Sequence, residues 1–168
     1  GGFTWFPGMP DNRYITQHIV AGFGHLERLD VIKVKDDPKV ADMLQKAIAY
    51  LDDRLREDLE NIKKYDKDYL KNNHLYYNNI HALYARSFFD QKIEKQNQEA
   101  YDYFIKQAKD YWLNQDLYSK GMLSLILQRN KEKSTADKII TSLKQNAINS
   151  EELGMYWKAN ETGGWYWY

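Results

Sequence analysis

Apolar residues recur every three or four positions along most of the chain, and this helical period dominates residues 14–147. The clearest run lies within residues 38–64, where the apolar positions are Val40, Met43, Leu44, Ala47, Ile48, Leu51, Leu55, Leu59 and Ile62. This spacing places them on one face of an amphipathic helix, and Pro38 is suited to its first turn. The pattern therefore predicts a long helix over residues 38–64 with one buried face.

Five other segments share the helical period. A first helix is predicted to begin after Asp11 or Asn12, since either side chain can cap an N-terminus. Its expected apolar face consists of Ile15, Ile19, Gly22, Leu26 and Leu29. Three more helices are predicted at residues 75–89, 94–113 and 116–129.

The last predicted helix begins at a polar pair. Ser134 and Asp137 stand three residues apart and resemble a capping box, so the helix is predicted to follow Ser134. Its expected buried face consists of Ala136, Ile139, Ile140, Leu143 and Ala147. Beyond Ser150, the Gly, Trp and Tyr content predicts turns or short extended segments.

Charge alternates between successive predicted helices. Residues 14–26 contain no Asp, Glu, Lys or Arg, and residues 75–89 and 117–128 contain one each. Residues 40–64 and 94–110 carry a densely charged side, and the last helix carries a milder one. An uncharged helix is expected to be covered on all sides, and a two-faced helix to lie at the surface. We therefore predict an all-α fold, a partial α/α toroid of about three antiparallel hairpins in which inner and outer helices alternate.

Composition narrows the functional classes. The chain has 168 residues, enough for one domain, and its 24 basic and 24 acidic residues give a net charge of zero. A nucleic-acid-binding protein would carry a basic excess, so nucleic acid is not expected as a partner. The absence of Cys excludes disulfides, thiolate metal sites and a Cys nucleophile. No apolar run reaches the roughly 18 residues that span a bilayer.

The two ends of the chain share a sequence pattern. Residues 1–6 read Gly-Gly-Phe-Thr-Trp-Phe, and residues 163–168 read Gly-Gly-Trp-Tyr-Trp-Tyr. Paired Gly permits a tight turn, and the following rings can fill the gap between helix pairs. We expect the two segments to play the same structural role at two places in a toroid. Such a toroid usually consists of six hairpins. The start without Met and the aromatic end lead us to expect a single helical domain over residues 1–168, excised from a larger toroid and prone to self-association.

Two stretches resemble bacterial alpha-2-macroglobulin family proteins. The Gly-rich aromatic turn of residues 1–8 leads into residues 14–23, which read Tyr-Ile-Thr-Gln-His-Ile-Val-Ala-Gly-Phe. In that family, such a turn precedes a helix of the form Tyr-Ile-Thr-x-x-Ile-Val-x-Gly-Phe. Residues 153–157 and 163–168 are similar to a later turn of the same helical, thioester-type domain. The middle of the chain matches by helix pattern alone.

The resemblance implies a parent protein that traps endopeptidases outside the cytoplasm, in the cell envelope or periplasm. This chain would be a non-catalytic part of its α/α toroid, with target proteases and other domains of the parent as partners. Many members carry Cys-x-Glu-Gln in an earlier helix, where an internal thioester forms. This chain has no Cys, so no functional residue of the family transfers to it. No catalytic, cofactor-binding or metal-binding residue is assigned.

Four histidines are the first candidates for chemistry. His18 and His25 are seven residues apart on one predicted helix, and His74 and His81 have the same spacing. Two metal ligands on a helix would stand four apart, and no Cys or flanking Glu completes either pair. We therefore expect these histidines to form hydrogen bonds within the fold.

Adjacent carboxylates occur at Asp36-Asp37, Asp52-Asp53 and Glu151-Glu152. Neighbours on a helix point in different directions, so Asp52-Asp53 predicts a solvated face. Glu151 and Glu152, close to Trp157, suit a sugar-cleaving site better. A hydrolase, however, needs two carboxyl groups that face each other across a substrate, and nothing in the sequence establishes that geometry.

The 14 Tyr and five Trp leave one alternative open. Aromatic rings on a concave surface stack on sugars, so the chain could be half of a toroid enzyme that acts on carbohydrates or isoprenoids. We favour the interpretation in which the rings fill the centre of the toroid. The serines Ser119, Ser124 and Ser134 lack a Gly-x-Ser-x-Gly context. Gly22 and Gly24 are expected inside a helix, where they serve close packing.

Overall fold

In a computed structural model of the protein, which describes residues 1–158, the chain folds into six α-helices and a small hairpin. The helices are α1 (Arg13–Arg28), α2 (Pro38–Tyr65), α3 (Tyr77–Arg86), α4 (Lys95–Tyr111), α5 (Leu117–Arg129) and α6 (Lys133–Gln145). Short 3-10 turns, Val34–Asp36 and Trp112–Asn114, precede α2 and follow α4. Strands β1 (Ile148–Ser150) and β2 (Gly154–Tyr156) pair antiparallel. The predicted all-α class is confirmed. The second Gly-Gly-aromatic segment, residues 163–168, lies outside the described residues.

Helix N-termini coincide with side chains that accept free backbone N–H groups. Asn12 accepts such a group in the first turn of α1, so the second of the two predicted caps is confirmed. Asp37 caps α2, with Pro38 at the first helical position. Asp116 caps α5 and accepts both the backbone N–H and the hydroxyl of Ser119.

The capping role predicted for Ser134 is wrong. α6 begins one residue earlier, at Lys133, and Ser134 lies exposed in its first turn. The turn after α5 is short: Lys131 adopts a φ of 63°, and the Glu132 N–H donates to the Leu127 carbonyl. This closure satisfies the end of α5 and returns the chain directly into helical conformation, so α6 starts before Ser134 can act as a cap.

The helices pack in two rows. α1 packs on α3 and α3 on α5, whereas α2 packs on α4. The rows meet where α2 contacts α1 and α3 and where α4 contacts α5, and α6 packs on α5. The predicted stripe of α2 lies in the core, where Leu44, Ala47, Ile48, Leu51, Leu55 and Leu59 are buried. Each fully buried Leu or Ile contributes about 1.5–3 kcal/mol, so this stripe supplies much of the stability.

The apolar face predicted for α1 is wrong. Leu26 and Leu29 are 40% and 71% exposed. The buried residues are Thr16, Gln17, Val20, Ala21 and Gly24. Small side chains let α1 approach the end of α3 closely, since a Cβ on Gly24 would lie 2.3 Å from Cγ of Phe88, two residues beyond α3. Close approach, rather than the burial of large apolar side chains, therefore sets the orientation of α1.

Only one of the three helices with little or no predicted charge follows the expectation that such a helix is covered on all sides. In α3, eight of ten residues are buried. α1 and α5 each expose one uncharged side, which includes Tyr14 and His18 on α1 and Tyr118 and Leu125 on α5. The reason is the row itself: α3 has a neighbour on each side, whereas α1 and α5 each pack on α3 from one side.

Candidate functional site

One side of the row of α1, α3 and α5 carries a continuous series of aromatic and imidazole rings, some exposed and some buried. We call this series the inner strip. It consists of Trp5, Tyr14, His18, His25, Tyr77, His81, Tyr84, Phe88 and Tyr118. Residues four and seven apart lie on one helix face, and this spacing aligns Tyr77, His81 and Tyr84 on α3.

Ring contacts join the three helices across the strip. The ring centres of Tyr14 and His18 are 4.3 Å apart on α1, and those of His18 and His81 are 4.5 Å apart between α1 and α3. Tyr77 lies 5.7 Å from His81 and stacks on Tyr118 of α5 at 6.5 Å between ring centres. Such edge and stacked pairs stabilise the row beyond simple burial.

A polar chain determines the position and the tautomer of His81. Asp58 accepts from Arg13, whose Nε donates to Gln17 Oε1 at 2.9 Å. A guanidinium has only donors, so the Gln17 amide turns its NH2 group toward His81 Nδ1, 3.2 Å away. Burial, together with the neighbouring His18, lowers the pKa of His81 to about 4. His81 is therefore neutral at physiological pH, with its proton on Nε2.

The other end of the strip contains a cation. The Cζ atom of Arg129 lies 3.9 Å from the ring centre of Phe88 and 5.7 Å from that of Tyr84. Its Nη1 donates to Ser87 Oγ at 2.7 Å. The Tyr84 hydroxyl and His25 Nε2 lie 3.1 Å apart, so a hydrogen bond joins α3 to α1 here. The strip thus changes from neutral rings to a positive charge toward the C-terminal ends of α1 and α5.

The strip offers flat faces for packing or stacking. Burial raises the pKa values of Tyr77 and Tyr84 and lowers that of His18, so these side chains are uncharged at neutral pH. Uncharged rings stack on other aromatic side chains or on the apolar faces of sugars. Gly22 follows His18 by four residues and Gly121 follows Tyr118 by three, so each glycine lies on the helix face that carries the strip.

The two glycines of α1 have different surroundings. Close packing is confirmed for Gly24, which faces Phe88. For Gly22 the prediction is wrong within the described chain, because a Cβ there would meet no atom within 4 Å. α1 turns this position away from both α2 and α3.

The histidines that lie together in the fold are not the ones that are paired by spacing in the sequence. His18 and His81 come from two helices and lie together. His74 is not on a helix, since α3 begins three residues later, and its Nε2 pairs with Asp66 Oδ2 at 2.9 Å. Hydrogen bonding within the fold is confirmed for His25, His74 and His81. Spacing along one helix carries no information about contacts between helices, so the sequence did not reveal the His18–His81 contact.

The solvated face predicted for Asp52-Asp53 is wrong for Asp52. Its side chain is 4% exposed, and its Oδ1 accepts from Arg86 Nε at 3.1 Å. Asp53 is half-buried and accepts from the Asn97 amide. A signal for the buried pair is present in the sequence: Arg86 is the one charged residue of residues 75–89, and a charge on a covered helix requires a buried partner.

The remaining candidates show no convergent geometry. Glu151 and Glu152 lie exposed in the turn between β1 and β2. The Trp157 indole Nε1 donates to the Leu143 carbonyl oxygen at 2.7 Å, which ties the hairpin to α6. The Ser124 hydroxyl donates to the backbone within its own helix.

Comparison with known proteins gives no relative: no protein-family model matches the chain, and no curated protein or solved structure matches it. Within residues 1–158, no group of three or more His, Cys, Asp or Glu side chains is placed to hold a metal ion. No helix in that range combines the length and apolar content needed to cross a bilayer. Function is therefore inferred from the packing and surface of the two rows.

Proposed function

We propose that the chain is a non-catalytic helical part of an alpha-2-macroglobulin-like endopeptidase inhibitor, and that its two rows form an arc of an α/α toroid. In such a toroid, inner helices pack side by side and outer helices form a second layer. The packing of α1, α3 and α5 in one row and of α2 and α4 in the other supports the arc. The parent would act in the cell envelope or periplasm, with target endopeptidases and its own other domains as partners.

The observation that carries the proposal is the packing of the N-terminal turn, whose sequence resembles the family. A Cβ on Gly1 would lie 2.4 Å from the Lys46 carbonyl oxygen, and a Cβ on Gly2 would lie 2.8 Å from the Tyr50 ring. The N–H of the next residue donates to Thr16 Oγ1 at 2.8 Å. Both Gly residues are thus required by close approach to α2, and the turn ties α1 to α2.

In the proposed ring, the inner strip faces the centre, and inner helices of the remaining hairpins cover it. Gly22 and Gly121 support this role because both face open space in the described chain. A Gly within a helix is about 1 kcal/mol less favourable than Ala. The close approach of a neighbouring helix would explain why Gly occupies both positions.

Incubation of the full-length parent with an endopeptidase tests this function. The protease is then assayed on a large protein substrate and on a short chromogenic peptide, with heat-denatured parent as the control. A steric trap is expected to prevent cleavage of the large substrate while the peptide is still cleaved. Unchanged cleavage of the large substrate would contradict the proposal, as would equal inhibition toward both substrates.

One observation favours a second candidate, a toroid enzyme that acts on carbohydrates. Tyr77 and Tyr118 present stacked rings that are 39% and 62% exposed, a surface suited to a sugar ring. Titration of the full-length parent with oligosaccharides, followed by intrinsic fluorescence, tests this candidate. Saturable quenching that is lost in Tyr118→Ala supports it, and the absence of any response removes it.

A further inference from the structure

A chain of polar side chains links α2 to the inner strip through α1. Asp58 of α2 accepts from Arg13 Nη1 at 2.5 Å and from the Asn79 amide at 2.7 Å, so its carboxylate contacts both α1 and α3. Arg13 Nε donates to Gln17 Oε1 at 2.9 Å, and the Gln17 amide lies 3.2 Å from His81 Nδ1. Gln17 is completely buried and His81 is 2% exposed. The hydrogen bond that joins α1 to α3 at this point is therefore a buried one.

Donors and acceptors match along this chain in only one protonation state. A guanidinium only donates, so Gln17 Oε1 faces Arg13 and the Gln17 NH2 group faces His81. Neutral His81 accepts this NH2 group at Nδ1, whereas an imidazolium carries an N–H on both nitrogens. Protonation of His81 thus places two donors against each other. Rotation of the Gln17 amide gives no relief, because its NH2 group would then face Arg13 Nε. In either case one buried hydrogen bond is lost.

The groups that face His81 offer no negative charge to an imidazolium. His18 lies 4.5 Å from His81 between ring centres, and a charge on either ring disfavours a charge on the other. The other two rings against His81 are the phenols of Tyr77 and Tyr84. In residues 1–158, no carboxylate oxygen lies within 4.0 Å of a His81 ring nitrogen. The titratable and charged groups in the next layer are Arg13 and Tyr14 of α1, Asp58 of α2, Tyr118 and Arg129 of α5, and Asp116 just before α5.

α1 buries few apolar side chains. Those that it buries are Val20 and Ala21, fewer than α2, α3 or α5 bury. Segments that bury little apolar surface open locally at a lower free energy than the whole fold. Thr16 of α1 also holds the N-terminal turn through the Phe3 N–H, so this turn moves with α1. Loss of the bond between Gln17 and His81 therefore acts on a helix that is weakly held.

We propose that the contact between α1 and α3 is an acid-sensitive switch, in which protonation of His81 releases α1 and the N-terminal turn while the other helices stay packed. With α1 in place the pKa of His81 is about 4, and in water it is about 6.5, so the open state binds more protons between these values. Opening is thus favoured by up to about tenfold per pH unit as the pH falls from 6.5 to 4. The switch goes beyond the proposed function, since it requires neither a protease nor a sugar.

Thiol labelling of the 168-residue chain tests the switch, because the chain has no Cys. Val20→Cys places a thiol on the buried face of α1, and Ser124→Cys places one on the buried face of α5. Neither substitution adds a heavy atom. A dipyridyl disulfide reacts with thiols in acid, and each rate is divided by that of the same variant unfolded in urea at the same pH. We expect the rate for Val20→Cys to rise about 20-fold from pH 6 to pH 4.5, with slower labelling of Ser124→Cys at both.

Two further substitutions in the Val20→Cys variant isolate the role of His81. The carboxylate of Gln17→Glu accepts from both Arg13 Nε and a protonated His81 Nδ1, so acid no longer breaks the contact. His81→Phe removes the titrating ring and decides the question if Gln17→Glu does not fold. Most of the rise should disappear in each folded variant. A rise of the original size in either folded variant, no rise in Val20→Cys itself, or equal labelling of the α1 and α5 thiols would overturn the proposal.

Discussion

Arg86 Nε lies 3.1 Å from Asp52 Oδ1 in the interior, and this ion pair joins α3 to α2. Arg86 also donates to the Gln91 carbonyl and lies over the Tyr101 ring, with Cζ 5.2 Å from the ring centre. Burial raises the pKa of Asp52 to about 6 although the Arg86 charge opposes this shift. The pair therefore specifies how the two rows meet, while its desolvation limits its net contribution to stability.

Arg86→Met leaves the Asp52 carboxylate buried without a cation. We expect the free energy of unfolding to fall by about 3–5 kcal/mol at pH 8. The pKa of Asp52, already raised, rises further in this variant, whereas the unfolded carboxyl keeps its ordinary lower value. The native variant therefore binds a proton that the unfolded state does not, and its deficit relative to wild type shrinks as the pH falls toward 6. Urea unfolding at several pH values measures this, and a deficit independent of pH would contradict it.

Arg56→Met is the matched control for the buried pair. Arg56 pairs with Glu60 and Asp53, but its side chain is one-third exposed. We expect a loss below about 1 kcal/mol with little dependence on pH. The double variant Asp52→Asn/Arg86→Met, which removes both buried charges, should recover most of the stability lost in Arg86→Met.

His81→Phe tests the protonation state of the inner strip. The native pKa of about 4 lies below the ordinary value of 6.5, so the unfolded state binds more protons between these values. The neutral His81 therefore contributes stability above pH 6.5, about 3 kcal/mol, which is lost as the pH falls to 4. Asp52 acts in the opposite direction between pH 6 and 4. We expect His81→Phe to gain stability relative to wild type on acidification, measured by urea unfolding. Parallel pH profiles would refute this assignment.

Two glycine substitutions in α1 should have opposite effects. Gly24→Ala brings a Cβ against Phe88, and we expect a loss of about 1–3 kcal/mol. Gly22→Ala faces open space, and in the 168-residue chain we expect a gain of about 1 kcal/mol from helix propensity. Thermal unfolding of the two variants measures both. Effects of the same sign would show that the face of α1 has been assigned wrongly.

Thr16→Val tests how the N-terminal turn is held. Thr16 Oγ1 accepts the Phe3 N–H at 2.8 Å, and Thr16 is completely buried. Removing this acceptor leaves the N–H unpaired, and we expect a loss of about 1–3 kcal/mol together with faster proteolytic cleavage before α1. Thr16→Ser, which keeps the hydroxyl, serves as the control. Wild-type stability and cleavage rates in Thr16→Val would show that the turn is held in another way.

Helix positions could be predicted best where the apolar period is long. The stripe within residues 38–64 predicts α2 to within one residue, because a helix of this length repeats its pattern many times. The shorter α3 was predicted over residues 75–89 but spans Tyr77–Arg86. A local side chain sets its later start: Asn79 Oδ1 accepts the Tyr76 N–H just before the first helical residue. The spacing of apolar residues does not reveal such hydrogen bonds between side chain and backbone.

The inner strip could be predicted only in part. The low charge of residues 14–26, 75–89 and 117–128 is plain from the sequence, but the contact between His18 and His81 depends on how two helices pack. The buried face of α1 consists of small and hydrogen-bonded residues, so a search for large apolar side chains selected the wrong side. The different surroundings of Gly22 and Gly24 follow from the same packing and could not be read before it was known.

Hydroxyl-radical footprinting tests most directly whether the inner strip faces other helices of one ring, as we propose. Oxidation of Tyr14 and Tyr118, which are 49% and 62% exposed here, is compared between the 168-residue chain and the longer protein that we propose as its parent. Tyr65 on α2, 78% exposed, is the control on the other row. We expect strong protection of Tyr14 and Tyr118 in the parent, with Tyr65 oxidised equally in both proteins. Equal oxidation of all three tyrosines in both proteins would contradict it.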